Sequence, residues 1–283
     1  MKKKITVLTL GAMLFALCVP AFAQQPKKVW RIGFLSAVSP TLYSHLYAAF
    51  VDGMRLRGYV EGQNIVIETR WADAKTERLP KLATELVRLK VDLIVSTGGA
   101  ATALAVKNAT TTIPVVFVGG GDLVRVGLID SLARPGGNLT GMSLLTTELG
   151  VKRLELLKER FPKIRRMAIL GNPTNAAYAI QVRETQAAGK RIAGIAIKKR
   201  MPAISEFKEF VEAGGLMSYG TNIIEVYRRI AVYVDKILKG AKPAELPVEQ
   251  PTNFDFFINL NTAKRIGVTI PPNVLARADK VIK

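Results

Sequence analysis

The chain has 283 residues, 49% of them hydrophobic, and 41 basic against 22 acidic residues give a formal charge of +19. That hydrophobic content supports a real core and excludes a low-complexity chain, while the charge brings anionic partners into view. One cysteine and one histidine leave little material for disulfide, thiol or metal chemistry.

Lys2, Lys3 and Lys4 precede an apolar run from Ile5 to Val19, and Ala21-Phe22-Ala23 follows with small residues. This is the three-part layout of a secretory signal peptide, with cleavage expected after Ala23 and export to the periplasm. The run is shorter than the ~20 residues a membrane-spanning helix needs. Leu17 is too bulky to precede a lipidated Cys18. Cleavage leaves 260 residues, no cysteine, and a charge of +16.

Past the leader, strands and helices alternate. Val29 to Leu35 reads as a buried strand, and Leu42, Leu46, Phe50 and Met54 recur on one helix face. Asn64 to Arg70 is a second strand, and Leu79, Leu82, Leu86 and Leu89 mark a second helix. Asp92 to Val95 forms a third strand that stops at Ser96-Thr97-Gly98-Gly99, before an alanine-rich helix from Ala100 to Asn108. Val115 to Val118 is the fourth strand. It runs into a Gly119 to Asp122 turn and then a predicted helix rich in valine and leucine. An Arg134 to Asn138 turn and a short extended segment lead to a fresh helix at Thr146. This rhythm predicts a doubly wound lobe with a parallel sheet.

The second half starts alike, with a helix from Thr146 to Arg160, a strand from Arg166 to Leu170 and a loop from Gly171 to Asn175. Ala176 to Lys199 then reads as one helix, followed by short strands at Pro202 to Ser205 and Gly215 to Ser218. Val226, Ile230, Val234 and Ile237 mark a long helix ending at Lys239-Gly240. Pro243 to Pro251 is extended, and Phe254 to Leu260 leads into a short closing helix. The predicted fold class is α/β, with two doubly wound parallel-sheet lobes. The first comprises 24–142 plus 221–250, the second 143–220 plus 251–283.

Catalytic patterns are missing. His45 stands alone, no Gly-x-Ser-x-Gly turn occurs, and the glycine loops match neither nucleotide-binding pattern. No catalytic residue, metal or cofactor is expected. Lys152, Arg153, Lys158, Arg160, Lys163, Arg165 and Arg166 interleave with apolar residues at helical spacing. They read as solvated helix faces, with attraction to anionic membrane surfaces as a use and nucleic acid disfavoured. The strand ends instead carry small polar residues: Ser36, Ser39, Ser96, Thr97, Gly98, Gly121, Asp122, Asn172 and Asn175. In a parallel sheet these share the carboxyl edge where open α/β folds bind ligands, although the same residue types also cap helices. Thr146, opening the second lobe, and Tyr219, a candidate aromatic wall, complete the expected ligand set.

These features carry a resemblance. Arg31-Ile-Gly-Phe-Leu35, Phe50-Val-Asp-Gly-Met-Arg-Leu-Arg-Gly-Tyr59, Pro135-Gly-Gly-Asn-Leu-Thr-Gly141, Lys152-Arg-Leu-Glu-Leu-Leu157 and Phe210-Val-Glu-Ala-Gly-Gly-Leu-Met-Ser-Tyr-Gly220 are similar to motifs of ABC-importer solute-binding proteins. The subfamily includes aromatic amino-acid binders. The resemblance implies a type I periplasmic-binding fold with three crossings, an amino-acid-like small-molecule ligand, an inner-membrane permease partner and a monomer. A degenerate or sensory paralogue that delivers no solute is the alternative. Family members carry Gly-Asp-Pro-Val where this chain has Gly121-Asp122-Leu123-Val124. A larger departure is expected near 187–191, where on the order of 40 residues, about one βαβ unit, are missing and the C-terminal lobe is truncated.

Overall fold

A computed structural model describes residues 28–120, 123–144, 146–161, 194 and 196–283, without the side chains of 146–148 and 160. The leader, the strand expected at 166–170 and most of the helix expected at 176–199 lie outside these residues.

The first lobe is built on β1 (Trp30–Ser36), β2 (Ile65–Trp71), β3 (Leu93–Thr97), β4 (Val115–Gly120) and β5 (Leu139–Leu144). All neighbours are parallel, in the order β2-β1-β3-β4-β5. Strands buried on both sides read as near-continuous apolar runs, as in Val115-Val-Phe-Val118. Their two faces are covered separately. Helix α1 (Pro40–Arg55) packs on one side together with α6 (Ile223–Leu238), through Phe50, Met54, Tyr227 and Ile230. Helices α2 (Leu79–Arg88) and α3 (Ala100–Ala109) cover the other, through Leu82, Leu86, Ala103 and Val106.

The helix expected after the glycine turn does not form among the described residues. Leu123 to Gly127 are turns, Gly127 sits at φ +70°, and the backbone N–H groups of Leu128 and Ile129 both donate to the Leu123 carbonyl. The loop buries Leu123, Leu128 and Ile129, leaves Val124 and Val126 exposed, and gives its Gly127 carbonyl to Lys107 Nζ at 2.7 Å. Burying three apolar anchors over seven residues uses a compact loop as effectively as a helix.

The second lobe holds α4 (Thr146–Arg160), β6 (Ile204–Ser205), α5 (Lys208–Glu212), β7 (Met217–Thr221), β8 (Phe254–Asn259), α7 (Leu260–Ile266), α8 (Pro272–Leu275) and β9 (Lys280–Ile282). Its sheet order is β6-β7-β8-β9. β6/β7 and β8/β9 are parallel, whereas β7/β8 is antiparallel. The reversal has a simple cause: after β7 the chain leaves along α6 in the first lobe and returns from there into β8. The closing segment holds two short helices and β9, where one helix was expected. Leu156, Met217, Phe256, Ile258 and Ile266 form the core of this lobe.

Crossing segments are fastened to each other. Ser143 N–H donates to the Glu249 carbonyl (2.8 Å), Glu249 N–H to the Gly141 carbonyl (3.0 Å), and Thr140 Oγ1 to the Leu246 carbonyl (2.7 Å). Gly141 is required here, because a Cβ would overlap the Phe117 carbonyl and its φ of +149° suits glycine. Arg229 of α6 grips the Glu249 carboxylate through two bonds of 2.8 and 2.9 Å. Asn222 caps α6 by accepting from Glu225 N–H and ties its own N–H to the Asn253 carbonyl.

Ile230 is fully buried between α6 and the first sheet. Ile230→Ala is expected to cost about 2–5 kcal/mol and lower the urea midpoint clearly. Leu56→Ala, at a side chain that is 79% exposed, should move stability by less than about 0.5 kcal/mol.

Candidate functional site

The two lobes meet at a cavity of about 110 Å³. Tyr43, His45 and Leu46 of α1 contribute from the first lobe. Leu149 and Arg153 of α4, and the Glu206 to Glu209 segment after β6, contribute from the second. Residues Gly220 to Ile224 of the crossing and Asp255 of β8 complete the wall.

Charge is concentrated inside. Arg153 Nη2 lies 3.6 Å from a Glu206 carboxylate oxygen, with side chains only 15% and 16% exposed. Arg153 Nη1 also donates to the Tyr219 carbonyl at 3.1 Å. Tyr43 stacks edge-on against Tyr227 with centroids 6.1 Å apart. Burial, and secondarily the Glu206 charge, push the Tyr43 hydroxyl far above its ordinary range. Tyr227 is raised likewise by burial and then by Tyr43, with nearby Thr97 opposing. Both phenols therefore stay neutral donors at any physiological pH.

Buried hydroxyls lie at the carboxyl end of β3 and the starts of the helices beside it, with Thr97 facing Tyr227. Ser39 Oγ, Ser96 Oγ, Thr97 Oγ1 and Thr102 Oγ1 are buried, and none makes a well-formed hydrogen bond. Buried hydroxyls are normally paired, but none of these four residues lines the cavity. Ser39 begins α1 without capping it, and no side chain caps α3. The capping alternative therefore fails for Ser39.

The expected site residues divide on this geometry. Ser96 and Thr97 end β3, Gly98 follows them and Ser39 precedes α1, and none of the four lines the cavity. Ser36 ends β1, and its Oγ already accepts from Val38 N–H at 3.2 Å. Gly98 has a structural duty, since at φ +88° a Cβ would come within 2.9 Å of Ala37. Thr146 opens α4 beside the first crossing, with its side chain outside the described residues. Gly121, Asp122, Asn172 and Asn175 lie outside them altogether. Tyr219 does not line the cavity: its ring packs on Phe254 and Phe256 and lines an adjoining polar pocket with Asp279 and Arg277, while its carbonyl accepts from Arg153.

Sequence reasoning missed Tyr43, Glu206, Asn222 and Asp255. It also took Arg153 for a solvated helix residue, whereas the second sheet covers it. Glu206 carried a usable signal, standing directly after a predicted strand as the other strand-end residues do. Asn222 carried one as well, three residues before Glu225 at a helix entrance.

Asp255 joins the crossings, accepting from Asn222 Nδ2 at 3.3 Å. Its pKa is raised, chiefly by burial; Asn222 and Lys208 oppose the rise, while Asp279 and Glu225 add to it. A folded pKa above the unfolded one means the ionised form weakens the fold. The stabilising contribution is complete below the unfolded value and fades as pH rises through the folded one. Asp255→Asn should accordingly melt higher than wild type at pH 7. That advantage should vanish when melting is measured below the free aspartate pKa of about 4.

Comparison with known proteins places this geometry. A family model described as ABC transporter substrate binding protein matches residues 31–198 and 188–282. A curated tyrosine-binding protein of Clostridioides difficile strain R20291 is 29% identical over 188 residues, 66% of this chain and 53% of that protein. The chain thus spans about half the length of this curated relative. Among solved structures, a conserved domain protein from Vibrio cholerae is 26% identical with a TM-score of 0.77, covering 90% of this chain and 100% of that one. An ABC domain from Streptococcus pneumonia in complex with L-Trp is 24% identical with a TM-score of 0.72, covering 89% and 100%.

Proposed function

The chain belongs to the ABC transporter substrate-binding protein family, and on that premise we propose that it captures an amino-acid-like solute between its lobes. It then hands that solute to an inner-membrane ABC permease, acting as a monomeric periplasmic receptor after removal of its leader. The role is binding rather than catalysis.

One observation carries the reading: a cleft between the lobes receives opposite charges, Arg153 and Glu206, from the second lobe and a neutral phenol, Tyr43, from the first. Amino-acid binding by the Clostridioides and Streptococcus proteins supports the same ligand class. The absence, among the described residues, of any helix long and apolar enough to cross a membrane is compatible with a free receptor.

The degenerate-paralogue reading has its own support. The cavity of about 110 Å³ is well below the roughly 300–1,000 Å³ usual for small-molecule sites. The two family-model matches overlap at 188–198, where the sequence is expected to lack a βαβ unit. A truncated second lobe would close further onto the first and shrink the cleft. For a working receptor, the lobes must part to admit ligand.

A thermal-shift screen of amino acids and small organic acids separates the two readings. A receptor gains RT ln(1 + [L]/Kd), about 2.7 kcal/mol at a hundredfold excess over Kd. A cooperatively melting protein that no solute stabilises would favour the non-transporting paralogue.

A further inference from the structure

A second cavity adjoins the cleft and shares only Asn222 and Asp255 with it. Its volume is about 640 Å³, within the roughly 300–1,000 Å³ usual for small-molecule sites. Tyr219 and Phe254 give it an aromatic wall, their ring centroids 5.9 Å apart. Glu225 in the first turn of α6, Asp255 of β8 and Asp279 just before β9 add three carboxylates.

Contacts within the fold leave most of that negative charge in place. Asp255 accepts from Asn222 Nδ2 at 3.3 Å and Asp279 from Phe256 N–H at 2.7 Å, and both donors are neutral. Neither aspartate forms an ion pair among the described residues. Glu225 meets Arg228 at 3.5 Å, with both side chains about half exposed. Arg277, the only cation lining the cavity among the described residues, turns to Glu159 at 3.3 Å. Asp255 also feels the other two carboxylates. Burial first, and after it the Asp279 and Glu225 charges, raise its pKa, while Asn222 and Lys208 oppose the rise.

Each ligand class would meet this lining differently. An anion adds a like charge to three already present. A neutral polyol finds hydrogen-bond partners and leaves the repulsion as it was. An organic ammonium ion answers both walls at once. Its N–H groups donate to the carboxylates in charge-assisted bonds, and its charge and apolar body lie against the ring faces.

We propose that this cavity is a second binding site, for a small organic ammonium ion held by Asp255, Asp279 and Glu225 against the rings of Tyr219 and Phe254. Because Asn222 and Asp255 stand between this cavity and the cleft, the occupant touches the partition between the two. Its binding needs no solute in the cleft.

Calorimetric titration of the full chain with phenethylamine, 3-phenylpropionate and glucose tests the proposal. The first two share a ring and a two-carbon linker and carry opposite charges. Phenethylamine should bind about tenfold or more tightly than either of the others, as charge-assisted bonds allow. Glu225, Phe254 and Asp279 line this cavity and not the cleft. Glu225→Gln and Asp279→Asn should each weaken phenethylamine about fivefold or more. Phe254→Leu, which keeps an apolar wall and removes the ring face, should weaken it about threefold.

Phenethylamine binding no tighter than 3-phenylpropionate to the wild type overturns the proposal, without reliance on any variant. So does phenethylamine binding that Glu225→Gln and Asp279→Asn both leave unchanged, since the amine then sits elsewhere. If one of these two variants loses its native circular dichroism, the other decides.

Discussion

The commitment of α6 to the first lobe is the constraint from which the rest of the structure follows. This helix starts at the end of β7, in the second sheet, yet its apolar face of Val226, Tyr227, Ile230, Ala231 and Val234 is buried against α1 and the first sheet. Burying five such side chains is worth several kcal/mol, at about 1.5–3 kcal/mol for each large one. Helix α6 cannot leave that face without exposing them. The chain must therefore cross out of the second lobe before α6 and cross back after it, and its return direction makes β8 antiparallel to β7.

Three crossings at one place oblige the backbone there to find partners. They find one another. Residues 139–144 and 246–250 exchange N–H and carbonyl groups, Asn222 joins Asn253, and Arg229 fixes Glu249. The Arg229 bonds hold the Glu249 carboxyl below its ordinary range, so this clasp is fully charged at neutral pH. Asn222 of these crossings and Asp255 of β8 line the same cavity as Tyr43 of the first lobe and Glu206 of the second, so the fastened segments and both lobes share one cleft.

Much of the first lobe was legible because its strands are short, apolar and separated by helices with clean four-residue periodicity. Its strand-end hydroxyls were legible for the same reason: alternation fixes the carboxyl edge once the sheet is known to be parallel. The loop after Gly119 was not, since valine and leucine at close spacing serve a helix and a compact turn equally, and the decision rests on Gly127 and Lys107. The charged half of the site was hidden for a different reason. Arg153 sits in a helix whose other basic residues, such as Lys158, are exposed, and nothing in local spacing separates a cation facing water from one facing β7. Only the tertiary position of Glu206, more than fifty residues later, makes that distinction. Tyr43 shows the same limit, as helical periodicity placed its neighbours Leu42 and Leu46 on the core face while the tyrosine itself packs against Tyr227 from a helix not yet reached in the sequence.

A small cavity and a strongly charged lining are in tension, and the tension bears on how this protein works. Charges in a narrow, poorly hydrated space interact more strongly than in water, and leaving one unpaired is correspondingly more costly. Arg153 and Glu206 lie 3.6 Å apart and offset each other's charge, so the cleft carries both signs at little cost to the fold. Arg153 comes from α4 and Glu206 from the segment after β6, so the same pair ties two elements of the second lobe together where they face Tyr43 of the first.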